Sequence, residues 1–400
     1  MKKTFSLALF GLFCSVPAAA YDFIDSVGEE VELGPAGGWV RLFPDEANNG
    51  WHFLWAAGGD FVRLPMTLDF QVEDRNRKSL AGRTDLVDHA ITRCPSGGYL
   101  HVASANVESF NDSAYAFRYD DDFNLIASGT LEEAEPARRH NDLPVICTPE
   151  LMATAFIGGN HRSTSLSIVS EDATQADLID LPGDVPRTEG GSLRIDPDSG
   201  ELIVIGRGGM NRSLEVAGLD SDYNVLWKES FQPLSDSSLK PYWPQALLKV
   251  KDHYILAFMG RDESAGWGSD WGNVFLAILD SDYQHLETIP VSNYSPPEGA
   301  QRPGLARRGT QLLLTMDRNV QPVLFEIRLN ADAFGIEGGQ EDTSGGWDTS
   351  SSGGGTGDGD GGGEGSGEGC SCGTVSGRTV SWLPLMFAVF LRRRRSTSLE

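Results

Sequence analysis

The sequence predicts an all-β fold, a six-bladed β-propeller over residues 21–336, because two short patterns recur in one register and the two ends complement each other. The first pattern is an acidic turn in which Asp residues precede an aromatic residue and then Asn or Gln. Clear copies begin at 119, 219 and 279, and weaker copies begin at 72, 169 and 329. Their spacings of 47, 50, 50, 60 and 50 residues suit a four-stranded propeller blade.

The second pattern is a short apolar run that lies upstream of each acidic turn. The runs are Trp51–Ala56, Tyr99–Ala103, Leu151–Ile157, Leu202–Ile205, Tyr254–Met259 and Leu312–Met316. Each is bounded by Gly, Asp or Asn, which is typical of buried strands. Because both patterns keep the same rhythm over six cycles, the sequence indicates six blades.

The last blade lacks a fourth strand of its own. Its first three strands are predicted near 304–308, 311–316 and 322–328, and the chain becomes rich in Gly, Ser and Asp after residue 336. The segment Phe23–Leu33, which precedes the first blade, alternates apolar residues at Val27, Val31 and Leu33. We therefore expect residues 21–34 to pair as the outer strand of blade 6, because an unpaired edge is a liability for a sheet.

The N-terminus has the pattern of a secretory signal peptide over residues 1–20. Lys2 and Lys3 precede an apolar stretch that runs from Phe5 to Val16. Small residues end the segment, and cleavage is expected after Ala20. The chain is therefore predicted to use the export machinery.

Residues 337–369 are predicted to be a disordered acidic linker, because a Gly/Ser/Asp-rich segment cannot bury enough apolar surface to offset its chain entropy. Residues 370–400 then carry the motif Cys370-Ser371-Cys372, the apolar run Trp382–Leu391 and the basic run Arg392–Arg395. The apolar run is shorter than the roughly 20 residues needed to span a bilayer as a helix.

This order of Cys motif, apolar run and basic run resembles the MYXO-CTERM sorting tail of bacterial surface proteins. The resemblance implies a sorting protease that cuts near the motif. It also implies an outer-membrane anchor through a modified Cys370 or Cys372. We expect an exported protein that is anchored at the outer-membrane surface or is extracellular.

The charge and the cysteines add further limits. A formal net charge of −25 disfavours partners such as nucleic acid and anionic lipid. The predicted propeller contains Cys94 and Cys147, at corresponding places in neighbouring repeats. In an exported protein this pair could form a disulfide or could be two buried thiols, and the sequence leaves both open.

Ligands of propellers commonly bind where the loops between second and third strands meet the connections between blades. The candidate binding residues on this face are Trp267, Trp271, His161, Arg162, Arg207, His140, Asp142 and Trp243. Trp267 and Trp271 lie in a Gly-rich loop with acidic neighbours, where they could stack on sugar rings. The alternative is that both tryptophans pack against the neighbouring blade.

No metal site and no cofactor is predicted. His89, His140 and His161 have no spacing that fixes zinc geometry in advance. The acidic turns lack the length and the closing Glu of a calcium-binding EF-hand loop. Asp at a hairpin is explained by hydrogen bonds between its side chain and its own backbone.

The sequence favours a non-enzymatic surface module that binds polysaccharide or another surface protein. A second hypothesis is a hydrolase or lyase of extracellular polysaccharide, with Glu189, Asp142 and His140 as acid and base. A third is a structural scaffold. The sequence contains no Gly-x-Ser-x-Gly elbow and none of the common propeller repeat signatures, so fold alone does not decide between them.

Overall fold

The computed structural model of this protein contains six antiparallel sheets, each with a path of four hydrogen-bonded strands, which form a six-bladed β-propeller. It describes residues 21–336 apart from 35, 46, 58–59, 74–76, 81–82, 84, 108–110, 133–137, 140–143, 150, 159–163, 171, 174–175, 197–198, 209–212, 235–237, 263–271 and 296–297. The predicted signal peptide with Ala20, the linker and the sorting tail with Cys370 and Cys372 lie outside the described residues.

Blades 1 to 3 follow the strand that closes the ring. That closing strand is β1 (Ile24–Glu32). Blade 1 contains β2 (Gly38–Asp45), β3 (Gly50–Ala57), β4 (Asp60–Met66) and β5 (Lys78–Ser79). Blade 2 contains β6 (Leu86–Arg93), β7 (Tyr99–Val107), β8 (Asn111–Tyr119) and β9 (Leu125–Glu132). Blade 3 contains β10 (Arg138–Arg139), β11 (Val145–Cys147), β12 (Met152–Gly158), β13 (Thr164–Val169) and β14 (Ala176–Asp180).

Blades 4 to 6 have the same strand order. Blade 4 contains β15 (Arg187–Ile195), β16 (Leu202–Arg207), β17 (Leu214–Leu219) and β18 (Val225–Phe231). Blade 5 contains β19 (Lys240–Val250), β20 (His253–Arg261), β21 (Asn273–Leu279) and β22 (His285–Pro290). Blade 6 contains β23 (Ala300–Arg308), β24 (Gln311–Arg318) and β25 (Gln321–Leu329), and β1 is its fourth strand.

The first strands of neighbouring blades lie beside one another around the central axis, where β15, β19, β23 and β2 contact in turn. The second and third strands are almost entirely buried, as in β16 and β17, because apolar side chains from adjacent blades pack on both of their faces. The outer strands β18 and β22 are half-buried or exposed over most of their length. This gradient of burial explains why the apolar runs of the sequence coincide with the second strands.

The ring is closed by pairing between the two ends of the propeller. Strand β1 is antiparallel to β25, with Val27 opposite Ile327 and Val31 opposite Leu324, so the predicted closing strand is confirmed. A bulge between Val27 and Glu30 surrounds Gly28, where a Cβ atom would approach the Glu326 carbonyl oxygen to 2.9 Å. Glycine is therefore required for close pairing at this point.

The short helix α1 (Ala331–Phe334) follows β25 and fixes the same junction. The Asn330 side chain accepts hydrogen bonds from the backbone N–H groups of residues 332 and 333, and the Asn330 backbone N–H donates to the Phe23 carbonyl at 3.0 Å. Among the residues that the structure describes, no helix is long and apolar enough to cross a membrane.

The acidic turns join third to fourth strands and are held by their own aspartates. In the three clear copies, one side-chain oxygen of Asp120, Asp220 or Asp280 accepts the backbone N–H groups two and four residues later, at 2.7–3.0 Å. The aromatic residue of each turn has a positive φ of 60–63°. In blades 2 and 5 that ring, Phe123 or Tyr283, stacks on a tyrosine of the second strand. The repeated motif is therefore a structural turn.

A disulfide joins blades 2 and 3. Cys94 follows β6, Cys147 ends β11, and their Cα atoms are 5.0 Å apart across 53 residues of sequence. Both cysteines are buried, and the Arg118 guanidinium contacts the two sulfur atoms. Of the two alternatives that the sequence leaves open, the structure has the bridge.

Substitution of Ile24 by Ala should destabilise the whole propeller. Ile24 in β1 is 4% exposed and packs in the apolar core of blades 5 and 6. Loss of a buried Ile side chain costs about 2–5 kcal/mol in the free energy of unfolding, measured by urea denaturation. Ile126→Ala, at a position 63% exposed, is the matched control and should change it by less than about 0.5 kcal/mol. Equal effects of the two substitutions would contradict the packing of β1.

Removal of the disulfide by Cys94→Ala/Cys147→Ala should also lower the free energy of unfolding. The chain-entropy relation gives about 4 kcal/mol for a loop of this length. The comparison is made by urea denaturation of the variant and of the wild-type protein with and without reductant. If reductant lowers the stability of the double variant as much as that of the wild type, the effect does not come from this bridge.

Candidate functional site at the channel mouth

The channel mouth is the face from which the first strands of the blades start. On this face each blade has the connection from the preceding blade and the loop between its second and third strands. The pairing of first and second strands is interrupted by a bulge near this end in blades 1, 2, 4, 5 and 6. Bulges commonly reorient a side chain next to a functional site.

Three bulges hold a bulky residue in the left-handed backbone region. These residues are Trp39 with φ 53°, Trp243 with φ 44° and Arg302 with φ 56°. They occupy equivalent places in the first strands of blades 1, 5 and 6. Such a conformation costs about 1–3 kcal/mol for a residue other than glycine and is found preferentially at functional sites.

The three side chains meet at the mouth. The Arg302 guanidinium carbon lies 4.0 Å from the centroid of the Trp39 ring and 5.8 Å from that of Trp243. All three side chains are partly exposed, and that of Arg302 has 17% of its surface accessible. A cation thus lies beside two indole rings, where cation–π attraction is strongest.

Asp317 supports this group from below. It lies in β24, is completely buried, and its Oδ2 accepts the Trp39 backbone N–H at 3.1 Å and lies 3.5 Å from Arg302 Nη1. A Cβ atom on Gly38 would come within 2.8 Å of the same oxygen, so only glycine leaves room for the carboxylate. Burial raises the pKa of Asp317 to about 6, while Arg302, the Trp39 N–H and Arg41 oppose that rise.

The contacts extend to blade 4 on one side. The Arg207 guanidinium carbon lies 3.6 Å from the centroid of the Tyr242 ring, and Tyr242 directly precedes Trp243. Arg207 and Tyr242 are 9% and 5% exposed, so they form a buried support under Trp243. Arg207 ends the second strand of its blade, which brings the guanidinium to the mouth.

The contacts of the mouth extend to blade 2 on the other side. The Trp39 ring lies 5.8 Å from His89, which stacks on Phe61 at 4.6 Å. His89 Nδ1 is 3.1 Å from His101 Nε2, so one ring donates a hydrogen bond and the other accepts it. Burial, followed by the charge of Arg302, lowers the pKa of His89 to about 3. The His pair is therefore neutral at pH 7 and serves as packing.

We call Trp39, His89, Arg207, Tyr242, Trp243 and Arg302 the mouth band. Consecutive members contact each other from blade 4 through blades 5, 6 and 1 to blade 2. The exposed part offers two flat indole rings and a guanidinium with several N–H donors. Among the described residues, no group of three or more His, Cys, Asp or Glu is arranged to hold a metal ion.

Of the candidate binding residues, the structure describes Arg207 and Trp243 and brings them to one side of the mouth. Trp267, Trp271, His161, Arg162, His140 and Asp142 lie outside the described residues. Glu189 lies in β15, and its side chain is outside the described part of the chain. The acid and base of the hydrolase hypothesis therefore stay predictions.

Trp39, Arg302 and Asp317 are not among the candidate binding residues that the sequence predicts. A comparison of the first strands with one another would have identified Trp39 and Arg302. Equivalent bulges in blades 1, 5 and 6 contain Gly38-Trp39-Val40, Tyr242-Trp243-Pro244 and Gln301-Arg302-Pro303. A large residue that recurs at a bulge marks a side chain directed to one place.

The raised pKa of Asp317 predicts a specific pH dependence of stability. Because the folded protein holds this proton more tightly than the unfolded chain does, Asp317 adds stability as the pH falls from about 6 towards 4, and that contribution is lost as the pH rises through about 6. The free-energy difference between wild type and Asp317→Asn should change by about 2 kcal/mol between pH 7 and pH 4, measured by urea denaturation.

The control for this prediction is Asp220→Asn, for which the pH dependence of the stability difference should have the opposite sign. Backbone N–H groups lower the pKa of the exposed Asp220, so its contribution is present at neutral pH and lost on acidification. If the Asp317→Asn difference is flat with pH, or follows that of Asp220→Asn, the buried charge pair at the mouth is not as described.

No protein-family model matches the chain, and no curated protein matches it in sequence. Among solved structures it is similar to a protein of unknown function from Dyadobacter fermentans, with a TM-score of 0.49 and 10% identity over 76% of this chain and 98% of that chain. A DUF4221 family member from Bacteroides vulgatus has a TM-score of 0.42 and 12% identity over 77% of this chain and 98% of that chain.

A GH43 β-1,3-galactosidase is also similar, with a TM-score of 0.42 and 13% identity over 66% of this chain and 58% of that chain. These likenesses concern the fold and assign no role to any residue of the mouth band. The six-bladed propeller itself rests on the strand pairing described above.

Proposed function

We propose that this protein is a non-enzymatic recognition module that binds polysaccharide at the channel mouth. The observation that carries the proposal is the group of Trp39, Trp243 and Arg302, three large side chains held at equivalent bulges in a strained backbone conformation. Indole rings provide flat apolar faces on which a sugar ring can stack, and the guanidinium donates hydrogen bonds to hydroxyl or carboxylate oxygens.

The support for binding rather than general acid–base chemistry lies in the surroundings of the exposed groups. Asp317 is shielded from solvent and accepts the Trp39 N–H, and His89 faces the Phe61 and His101 rings. These buried ionisable groups hold the exposed side chains in place. A second class of partner, another protein on the same cell surface, would contact the same indole and guanidinium groups.

We further propose that the module acts outside the cell, held at the outer-membrane surface. The signal-peptide pattern before Tyr21 and the resemblance of the Cys370–Arg395 region to a MYXO-CTERM tail support this location. A disulfide between Cys94 and Cys147 is also typical of exported proteins. A long linker would hold the propeller away from the membrane.

Trp39→Ala and Trp243→Ala should each weaken polysaccharide binding by at least about tenfold, a loss of about 1.4 kcal/mol, because each removes a stacking face. Binding is measured with the purified protein by retention on envelope polysaccharides of the producing cell, then by calorimetry on the best binder. Trp227→Ala, a partly buried tryptophan on the opposite face, is the matched control and should bind like wild type.

Two outcomes would contradict the proposal. One is binding that survives both mouth substitutions, and the other is equal loss in Trp227→Ala. Retention of surface proteins but of no polysaccharide, with the same dependence on Trp39 and Trp243, would assign the mouth to a protein partner instead.

A further inference from the structure

A second concave site lies on the opposite face of the propeller, between blades 4 and 5. It is a pocket of about 440 Å³. Its walls come from the hairpin between β15 and β16, from β18, and from the acidic turn between β21 and β22. A pocket of this size accommodates a small organic molecule.

The pocket has an aromatic wall and an acidic rim. Tyr283 stacks on Tyr254 at 4.4 Å and on Trp227 at 5.3 Å between ring centroids. Five carboxylates line the pocket, and Lys249 is the single basic residue among the lining residues that the structure describes; the acids are Asp196, Glu201, Glu229, Asp252 and Asp282. The surroundings therefore favour a positively charged occupant.

Two of these carboxylates are fixed by hydrogen bonds. Asp196 Oδ2 accepts the Tyr254 hydroxyl at 2.8 Å, and Glu201 Oε2 accepts the Trp227 Nε1–H at 2.7 Å. The Tyr283 hydroxyl is buried and lines the same pocket. It interacts with the Tyr254 hydroxyl, which in turn donates to Asp196, so the two tyrosines and the aspartate form one polar row along this wall.

The junction of blades 1 and 2 shows what completes this arrangement. Its aromatic pair is Tyr99 and Phe123, with centroids 4.0 Å apart, and Asp45 takes the place of Asp196. Both aspartates accept a backbone N–H three residues later, from Asn48 at 3.1 Å and from Ser199 at 3.0 Å. The two junctions are thus built on the same plan.

The junction of blades 1 and 2 is filled by cations of the protein itself. The Arg63 guanidinium lies 3.5 Å from Asp45 Oδ2 and 5.8 Å from the centroid of Phe123. Lys78 Nζ donates to the Asp122 carbonyl at 3.0 Å and to Asn124 Oδ1 at 2.7 Å in the adjacent acidic turn. A guanidinium and an ammonium thus satisfy the aspartate, the ring and the turn.

Both cations are absent from the corresponding positions of blade 4. By strand register, Val216 stands where blade 1 has Arg63, and Glu229 stands where it has Lys78. Ile203, which lines the pocket, stands where blade 1 has His52. Arg194 packs on Tyr254 at 5.4 Å in the place that Phe43 takes against Tyr99 at 5.2 Å, so it does not replace Arg63.

We propose that the pocket between blades 4 and 5 binds a small organic cation carrying a guanidinium or a primary amine, which takes the place that Arg63 and Lys78 fill between blades 1 and 2. The cation contacts Asp196, Glu229 and the turn at Asp282, and its hydrocarbon part packs against the aromatic wall. This site is separate from the mouth band and does not depend on the function proposed for it.

The test uses agmatine, which carries a guanidinium and an amine on one short chain, with uncharged butylurea as the matched probe. Binding to the full-length protein is followed by calorimetry. We expect saturable binding of agmatine that weakens with added salt, and at least about tenfold weaker binding of butylurea.

The variants separate the pocket from the general acidity of the protein. Glu229→Lys supplies an internal ammonium and should abolish agmatine binding, and Glu229→Gln and Asp282→Asn should each weaken it by about tenfold. Asp222→Asn, in the equivalent turn of blade 4 and outside the pocket lining, should bind agmatine like wild type. Because Glu229→Gln removes only the charge, it decides the matter if Glu229→Lys fails to fold.

Three results would overturn the inference. They are no saturation below about 10 mM agmatine, equal affinity for butylurea, and equal losses in Asp282→Asn and Asp222→Asn. The last result would assign the effect to the overall negative charge of the protein.

Discussion

The rest of the structure depends on the hydrogen bonds between β1 and β25. A propeller is a ring, and its blades can pack on both neighbours only if the first and last blades are held together. Here the outer strand of blade 6 comes from the start of the propeller, so one antiparallel pair fixes the distance between blade 6 and blade 1. Without this pair, the edge of β25 would be open and blade 6 would have three strands.

The mouth band is assembled across this closure. Arg302 and Asp317 belong to blade 6, whereas Trp39 and Gly38 belong to blade 1, and the Trp39 N–H to Asp317 hydrogen bond joins the two blades. The strain at Trp39 and Arg302 is maintained because the surrounding strands are held on both sides. Binding geometry at the mouth and closure of the ring are therefore parts of one arrangement.

Much of the fold could be predicted from the sequence, because a repeated hairpin has local chemistry that repeats with it. Asp120, Asp220 and Asp280 hold their turns through contacts within five residues, and the apolar second strands are short and well bounded. The closing strand could be inferred from a missing fourth strand. The division of the first strand of blade 3 into β10 and β11 left no such pattern.

The candidate sites were harder to predict, because they depend on residues from different blades. Trp39 and Trp243 are about two hundred residues apart in sequence and have in common only their place at a bulge. In the pocket between blades 4 and 5, Val216 and Glu229 stand where blade 1 has Arg63 and Lys78. This equivalence becomes visible only when the strand registers are known. Single-sequence patterns report local periodicity and do not report such replacements.

The disulfide has a consequence for the order of assembly. Cys94 and Cys147 both precede blades 4 to 6 in the chain, so the bridge can form while half of the ring is still unmade. Covalently joined blades 2 and 3 would then present the packed side of blade 3 as a template on which blade 4 condenses. We expect the slow step of folding to be the final one, in which a strand from the very start of the propeller must find its partner about three hundred residues away.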